Sequence, residues 1–183
     1  MTDGAKEQLN NLICALAAGN AEALDGIFAI AAKRMNFAAT AIVCDRAAAE
    51  DVVSDSFIKI ARFARRYSRG DDPMAWILKI VRNTALDYLR KCKRRAEVSC
   101  ECLYNLTDEN SSPEKIERAL LLEQALSKLK DDERRVIYMR YYLDMTVREI
   151  SEATALSRSS AERLIQRAEE NLKKFLKSGK NDG

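Results

Sequence analysis

Among the residues that could do chemistry in this chain, one type is missing: none of its 183 residues is histidine. Ser-His-Asp and Cys-His catalysis, imidazole general bases and histidine-liganded metal sites are therefore excluded, leaving cysteines, carboxylates, hydroxyls and cations. Of the five cysteines, Cys100-Glu101-Cys102 with Cys92 nearby could hold zinc or form a thiol sensor. A one-residue spacing lacks the usual Cys-x2-Cys geometry and no histidine can complete a site, so linker cysteines are the simpler reading. Cys14 and Cys44 sit in apolar helical stretches and read as small buried hydrophobes. Glu50, Asp51 and Asp55 can share a helix face, as a carboxylate-metal nuclease would need, but no further acidic residues converge on them. No cofactor and no metal is expected.

The cations are better organised. Cut at its composition shifts, the chain carries net charges of −3 over 1–60, +8 over 61–95, −4 over 96–145 and +2 over 146–183. The total of +3 conceals this alternation. The stretch from Arg62 to Arg95 is dense enough to serve a polyanion such as nucleic acid, or else forms a solvated basic helix face.

The elements that must position these residues are helices. Two prolines and six glycines stand against abundant Ala, Leu, Glu, Lys and Arg, which points to an all-α chain of one medium domain or two small ones. No run approaches the ~18 consecutive apolar residues of a membrane span. Met1 to Lys6 lacks the layout of a signal peptide, so a cytoplasmic protein with reduced cysteines and no membrane insertion is expected.

Asn20 can cap a helix with Leu24, Ile27, Phe28 and Ala31 on one face. After Asp45, the spacing of Val52, Val53, Ser56, Phe57 and Ile60 predicts an amphipathic helix with Glu50, Asp51, Ser54 and Asp55 on its polar side. Asp72-Pro73 is a helix start, and Trp76, Ile77, Ile80, Val81, Thr84, Ala85 and Leu89 are its expected buried stripe. Lys79, Arg82, Asn83 and Arg90 fall outside that stripe. Periodicity fails between Ala96 and Ser112, which reads as a linker. Ser112-Pro113 restarts helix, Ile116, Leu120, Leu121, Ala125 and Leu129 give its apolar face, and a second bundle is expected from Glu114 to Lys177.

Thr146-Val-Arg-Glu149 is a capping box opening a short helix with Val147 and Ile150 inward, and Ser157 caps a second helix from Arg158 onward. With Ala161, Leu164, Ile165 and Ala168 as inner face, the pair has a helix-turn-helix layout. Arg158, Ser159, Ser160 and Arg163 would then meet base edges and phosphates, with Arg167 near the backbone. The alternative is an ordinary helical hairpin packed on Ala119 to Leu129, and Glu162, Glu169 and Glu170 weigh against DNA by repulsion.

Taken in order, these blocks resemble the extracytoplasmic function (ECF, group IV) sigma factors of the bacterial sigma-70 family. The resemblance rests on Gly19-Asn-Ala-Glu-Ala-Leu24, Ala49-Glu-Asp-Val-Val-Ser-Asp-Ser-Phe57 and the run from Ala75 to Arg90. Its second half rests on the run from Leu126 to Val136, Tyr141-Tyr-Leu-Asp-Met-Thr146 and the helix-turn-helix. It implies a region 2 domain over 1–95, a linker over 96–113 and a region 4 domain over 114–183.

The partners implied are core RNA polymerase, promoter DNA and, in many such proteins, an anti-sigma factor; no catalysis is implied. Glu50, Asp51, Ser54 and Asp55 correspond to the polymerase-docking helix. Tyr67 to Asp72 corresponds to the loop that receives a flipped base, with Tyr67 as the stacking aromatic. Lys79, Arg82, Asn83, Asp87 and Arg90 correspond to the helix lining the melted minus-10 strand, and Trp76 to the family's core tryptophan. Arg158, Ser159, Ser160, Arg163 and Arg167 correspond to the minus-35 reader. The chain departs from the pattern at Glu162 and Leu164, where a Lys-x-Arg pair is usual, and at Ser54, where Gln is common. A regulator binding duplex DNA without polymerase is the competing function.

Overall fold

The computed structural model describes residues 3–92 and 113–178, and every regular element among them is helical. The chain divides into two compact units, Met1–Ser99 and Cys100–Gly183. The linker expected at 96–113 falls outside the described residues except for Pro113, as do Cys100 and Cys102.

The first unit comprises α1 (Asp3–Ala17), α2 (Ala23–Val43), α3 (Arg46–Phe63), a 3-10 turn (Ala64–Arg66) and α4 (Pro73–Lys91). Two aspartates start helices as their positions require. The Asp45 side chain accepts from the Ala48 amide at 2.8 Å and Asp72 from the Ala75 amide at 2.9 Å, each replacing a lost intrahelical partner and stabilising its helix by about 1 kcal/mol. Asn20 is not the N-cap of α2, which is Glu22, but lies two residues before it. Its side-chain oxygen accepts from the Glu22 amide at 3.0 Å and shapes the turn before α2, which begins at Ala23.

Helix α2 is the centre, packed against α1, α3 and α4. Ile27, Ala31, Met35, Ala38 and Ile42 recur every three or four residues and are fully buried, the alanines letting neighbouring helices approach closely. By length and mean hydropathy (1.3) α2 could cross a membrane, yet this apolar stripe is covered by the bundle. Leu9 and Ile13 of α1, Val52 and Ile60 of α3, and Ile77, Val81 and Ala85 of α4 complete the core.

Two aromatics depart from expectation. Phe28 is 55% exposed, because the stripe centres on Ala23, Ile27 and Ala31 and leaves residue 28 at its edge, where its ring meets Phe57 at 5.2 Å. Trp76 is half-buried, its ring packed edge-on to Tyr67 with centroids 5.2 Å apart. Ile80 and Leu89 are also half-buried, and Met74, Leu78 and Leu86 take the buried places on α4.

The second unit comprises α5 (Pro113–Ser127), α6 (Asp131–Tyr141), α7 (Val147–Thr154) and α8 (Arg158–Ser178). The expected capping box is formed: Thr146 Oγ1 accepts from the Glu149 amide at 3.3 Å, and the Glu149 carboxylate accepts from the Thr146 amide at 2.8 Å. Ala155 ends α7 in the left-handed region at φ 55°. Ser157 Oγ then accepts from the Ser160 amide at 3.2 Å at the start of α8. Ala125, Leu129, Val136, Met139, Met145, Ile150, Ala161 and Ala168 fill this second core, while Leu120 is 49% exposed and Val147 half-buried.

Candidate nucleic-acid interface

On α4 the buried side faces α2 and α3, so the residues between successive core positions turn outward. Lys79, Asn83 and Arg90 are exposed, and Arg82 and Asp87 are half-buried. Asp87 organises its neighbours. Its carboxylate lies 2.9 Å from the Arg90 guanidinium and 3.8 Å from Lys59 Nζ, which also donates to Thr84 Oγ1 at 3.1 Å. Lys59, on α3, thus joins the α4 face. Nothing in the sequence marks it out, because it is one of three cations on α3, with Arg46 and Arg62, and its partner Asp87 lies on another helix.

The segment before α4 is held from several sides. The Tyr67 hydroxyl lies as donor between the Asn10 side-chain oxygen and the Asp71 carbonyl (2.9 Å). Burial, then the nearby Cys14, Asp71 and Asp72, raise the phenol's pKa above its ordinary 10, so it is the neutral donor at any physiological pH. Arg69 donates to Asn11 Oδ1 at 2.8 Å, and Lys6 Nζ pairs with Asp72 at 3.0 Å. Burial works to raise the Asp72 carboxyl, but the Ala75 amide and Lys6 outweigh it and its pKa is lowered. Just upstream, Arg62 and Arg66 lie 5.8 and 5.1 Å from the centroid of the Phe63 ring, within cation-π range.

On α3, Glu50, Asp51, Ser54 and Asp55 are all exposed. Arg46 pairs with Glu50 at 3.3 Å and Ser54 Oγ donates back to the Glu50 carbonyl at 2.9 Å. Ile58, a turn further on and 68% exposed, adds an apolar side chain to this acidic face.

In the second unit the first turns of α8 project outward. Arg158, Ser159 and Arg163 are exposed and Ser160 is half-buried. Arg163 Nε donates to the Ser159 carbonyl at 3.3 Å, which lays the guanidinium along its own helix. Gln166, unremarked in the sequence, lines an open groove with Arg163, Ser159 and Glu162 together with Arg140 of α6 and Val147 of α7. Glutamine one turn from arginine on an outward helix face is a pair suited to base edges. Two of the three carboxylates that weighed against DNA are engaged: Glu162 with Arg158 at 3.4 Å and Glu169 with the Tyr141 hydroxyl at 2.8 Å. Arg167 turns towards α6, its Nε 2.8 Å from buried Glu133 and its terminal nitrogen 3.4 Å from Asp132.

Among the described residues no group of three or more Cys, Asp or Glu side chains is placed to hold a metal ion. Cys92 is exposed at the end of α4.

Two stretches of the chain match known families: residues 28–95 match sigma-70 region 2 and residues 119–172 match sigma-70 region 4. The chain belongs to the sigma-70 family. With both regions in one chain, its function is that of an RNA polymerase sigma factor. Region 2 takes in α2 to α4, with the acidic face of α3 and the cationic face of α4; region 4 takes in the helix-turn-helix. Among its relatives, the ECF RNA polymerase sigma factor SigM of Bacillus subtilis (strain 168) is 24% identical over 140 residues, 75% of this chain and 85% of SigM. RNA polymerase sigma factor CarQ of Myxococcus xanthus is 26% identical over 160 residues, 86% of this chain and 91% of CarQ. A solved structure of CnrH in complex with the cytosolic domain of CnrY is 23% identical, covers 93% of this sigma factor and 98% of that chain, and superposes with a TM-score of 0.48.

Proposed function

We propose that this sigma factor is of the ECF (group IV) type, acting in the cytoplasm as a specificity subunit of RNA polymerase with no catalytic step of its own. In this reading 1–95 is the domain for polymerase docking and the minus-10 element, 96–113 the linker and 114–183 the domain for the minus-35 duplex. Glu50, Asp51, Ser54 and Asp55 dock on a basic surface of core polymerase, to which an acidic face is complementary. Lys79, Arg82, Asn83, Asp87 and Arg90 line the melted strand, Asp87 by holding Arg90 and Lys59 in place. Arg158, Ser159, Ser160 and Arg163 meet the minus-35 duplex, with Arg167 bracing their helix from behind. An anti-sigma partner belongs to the same reading and rests on the family resemblance alone.

The observation that carries this reading is that one small bundle exposes two faces of unlike charge, an acidic one on α3 and a largely cationic one on α4. The acidic side chains face solvent from α3, and Lys79, Asn83 and Arg90 face it from α4. Opening a base step costs a few kcal/mol, of which stacking one base on an aromatic such as Tyr67 returns about 1 to 3 kcal/mol. The remainder comes from phosphate contacts and from the polymerase, so the isolated chain melts nothing. The test is reconstitution with core polymerase followed by run-off transcription on genomic DNA. Binding to core enzyme and mapped, promoter-specific starts are expected; a chain that ignores core polymerase yet shifts duplex DNA alone is a free-standing regulator instead.

A further inference from the structure

Helix α1 precedes the span that matches region 2, and the proposed function makes no use of it. Its inner side gives Leu9 and Ile13 to the core, which accounts for its packing but not for its polar side chains. Three of those reach the same short segment. Lys6 Nζ lies 3.0 Å from Asp72 Oδ2, Asn10 Oδ1 takes the Tyr67 hydroxyl, and Asn11 Oδ1 accepts from the Arg69 guanidinium at 2.8 Å. Residues 6 and 10 lie one helical turn apart with 11 beside them, so one side of one helix presents all three.

The ties are distributed along the segment, at its first residue, its middle and its last. Between and around them the segment is open to solvent: Ser68, Gly70 and Asp71 are exposed, nothing lies within 4 Å of where a Cβ on Gly70 would stand, and one turn bond from the Asp71 amide to the Ser68 carbonyl (2.9 Å) joins its middle. Asp72 also caps α4 through the Ala75 amide, so the Lys6 ion pair joins the end of the segment to the start of the helix that carries Lys79 and Asn83. The segment is joined to helical backbone only at its ends, Tyr67 to Ala64 and Asp72 to Trp76, so left to itself it would lose conformational entropy on closing around a ligand, whereas with three further ties to α1 it has given up more of that freedom on folding.

We infer that α1 is a clamp that preorganises the 67–72 loop, with Lys6, Asn10 and Asn11 as positioning residues for the base that the loop receives. The inference rests on the reading of that loop as the base-receiving element. The clamp acts on discrimination more than on affinity, because a loop free to re-form around any base loses the geometry that rejects the wrong one.

The test uses holoenzyme reconstituted from the full chain and core polymerase. Open-complex formation is measured by permanganate reactivity on promoters carrying each of the four bases at every minus-10 non-template position. Asn11→Ala and Lys6→Met are each expected to lower base discrimination at one position by about two- to tenfold, the worth of a hydrogen bond or exposed ion pair, with the Tm lowered by no more than a few degrees and core-polymerase affinity unchanged. Asn11→Asp, which converts the Arg69 contact into an ion pair, retains full discrimination. Unchanged discrimination in both α1 variants, alongside its loss in Tyr67→Ala, overturns the clamp and leaves the loop reading standing. Unchanged discrimination in Tyr67→Ala as well removes the loop reading and the clamp with it. A loss that accompanies weakened core-polymerase binding, or that Asn11→Asp shares, also overturns the clamp.

Discussion

Arg167 on α8 sets its Nε 2.8 Å from Oε1 of Glu133 on α6, and Glu133 is only 2% exposed. Asn171, one turn further along α8, donates to the same oxygen at 3.0 Å. The other carboxylate oxygen accepts from the Lys130 amide at 3.3 Å and so caps α6. One buried carboxylate therefore terminates one helix and pins another, and the pinned helix is the one whose first turns project Arg158 and Arg163. A buried charge is tolerable only with such partners, which makes this brace sensitive to the loss of any one of them.

Arg167→Ala is expected to cost region 4 about 1 to 2 kcal/mol, less than a fully buried pair because the arginine side chain is 55% exposed. Arg163→Ala should stay within about 0.5 kcal/mol of the parent in thermal denaturation, while reducing the salt dependence of minus-35 binding by about one unit of slope. An Arg167→Ala variant of unchanged Tm whose salt slope falls by a unit would make Arg167 a phosphate contact instead.

Glu162 stands one turn from Arg158 and within 3.4 Å of its guanidinium, on the groove that Arg163 and Gln166 also line. Its carboxylate both occupies the arginine and repels phosphate. Glu162→Gln should therefore raise affinity for a minus-35 duplex by about two- to fivefold in fluorescence anisotropy at low salt, with the gain fading as salt is added. No gain at low salt would place residue 162 away from the DNA.

Asn83 is exposed on α4, and its truncation removes no core packing. Asn83→Ala should leave the Tm within about 0.5 kcal/mol equivalent of the parent and core-polymerase binding intact, while weakening promoter opening in permanganate footprints. Equal loss of binding and opening would make the residue structural.

Ala155 holds φ 55° at the end of α7, a conformation in which a Cβ crowds the backbone. Ala155→Gly relieves that crowding at some cost in unfolded-chain entropy, and a net stabilisation of about 0.5 to 1 kcal/mol is expected in urea denaturation. A destabilised variant would mean that the Ala155 methyl packs usefully.

What the sequence by itself determined is what depends on near neighbours along the chain. The caps at Asp45, Asp72 and Thr146 involve residues three apart, and the buried positions Val52, Val53, Ile60, Ile77 and Val81 follow a helical period, so both were legible without a fold. The outward placement of Lys79, Asn83, Arg158 and Arg163 followed from the same periodicity. Phe28 and Trp76 were not legible, because how far the edge of an apolar stripe is covered depends on which helix lies beside it. Lys59 at Asp87, Arg167 at Glu133, and Lys6, Asn10 and Asn11 along the 67–72 loop are contacts between residues 28 to 66 positions apart. Only the tertiary structure decided them, since a charge or an amide on a helix surface is the same in sequence whether it meets water, DNA or another helix, and packing alone selects among the three.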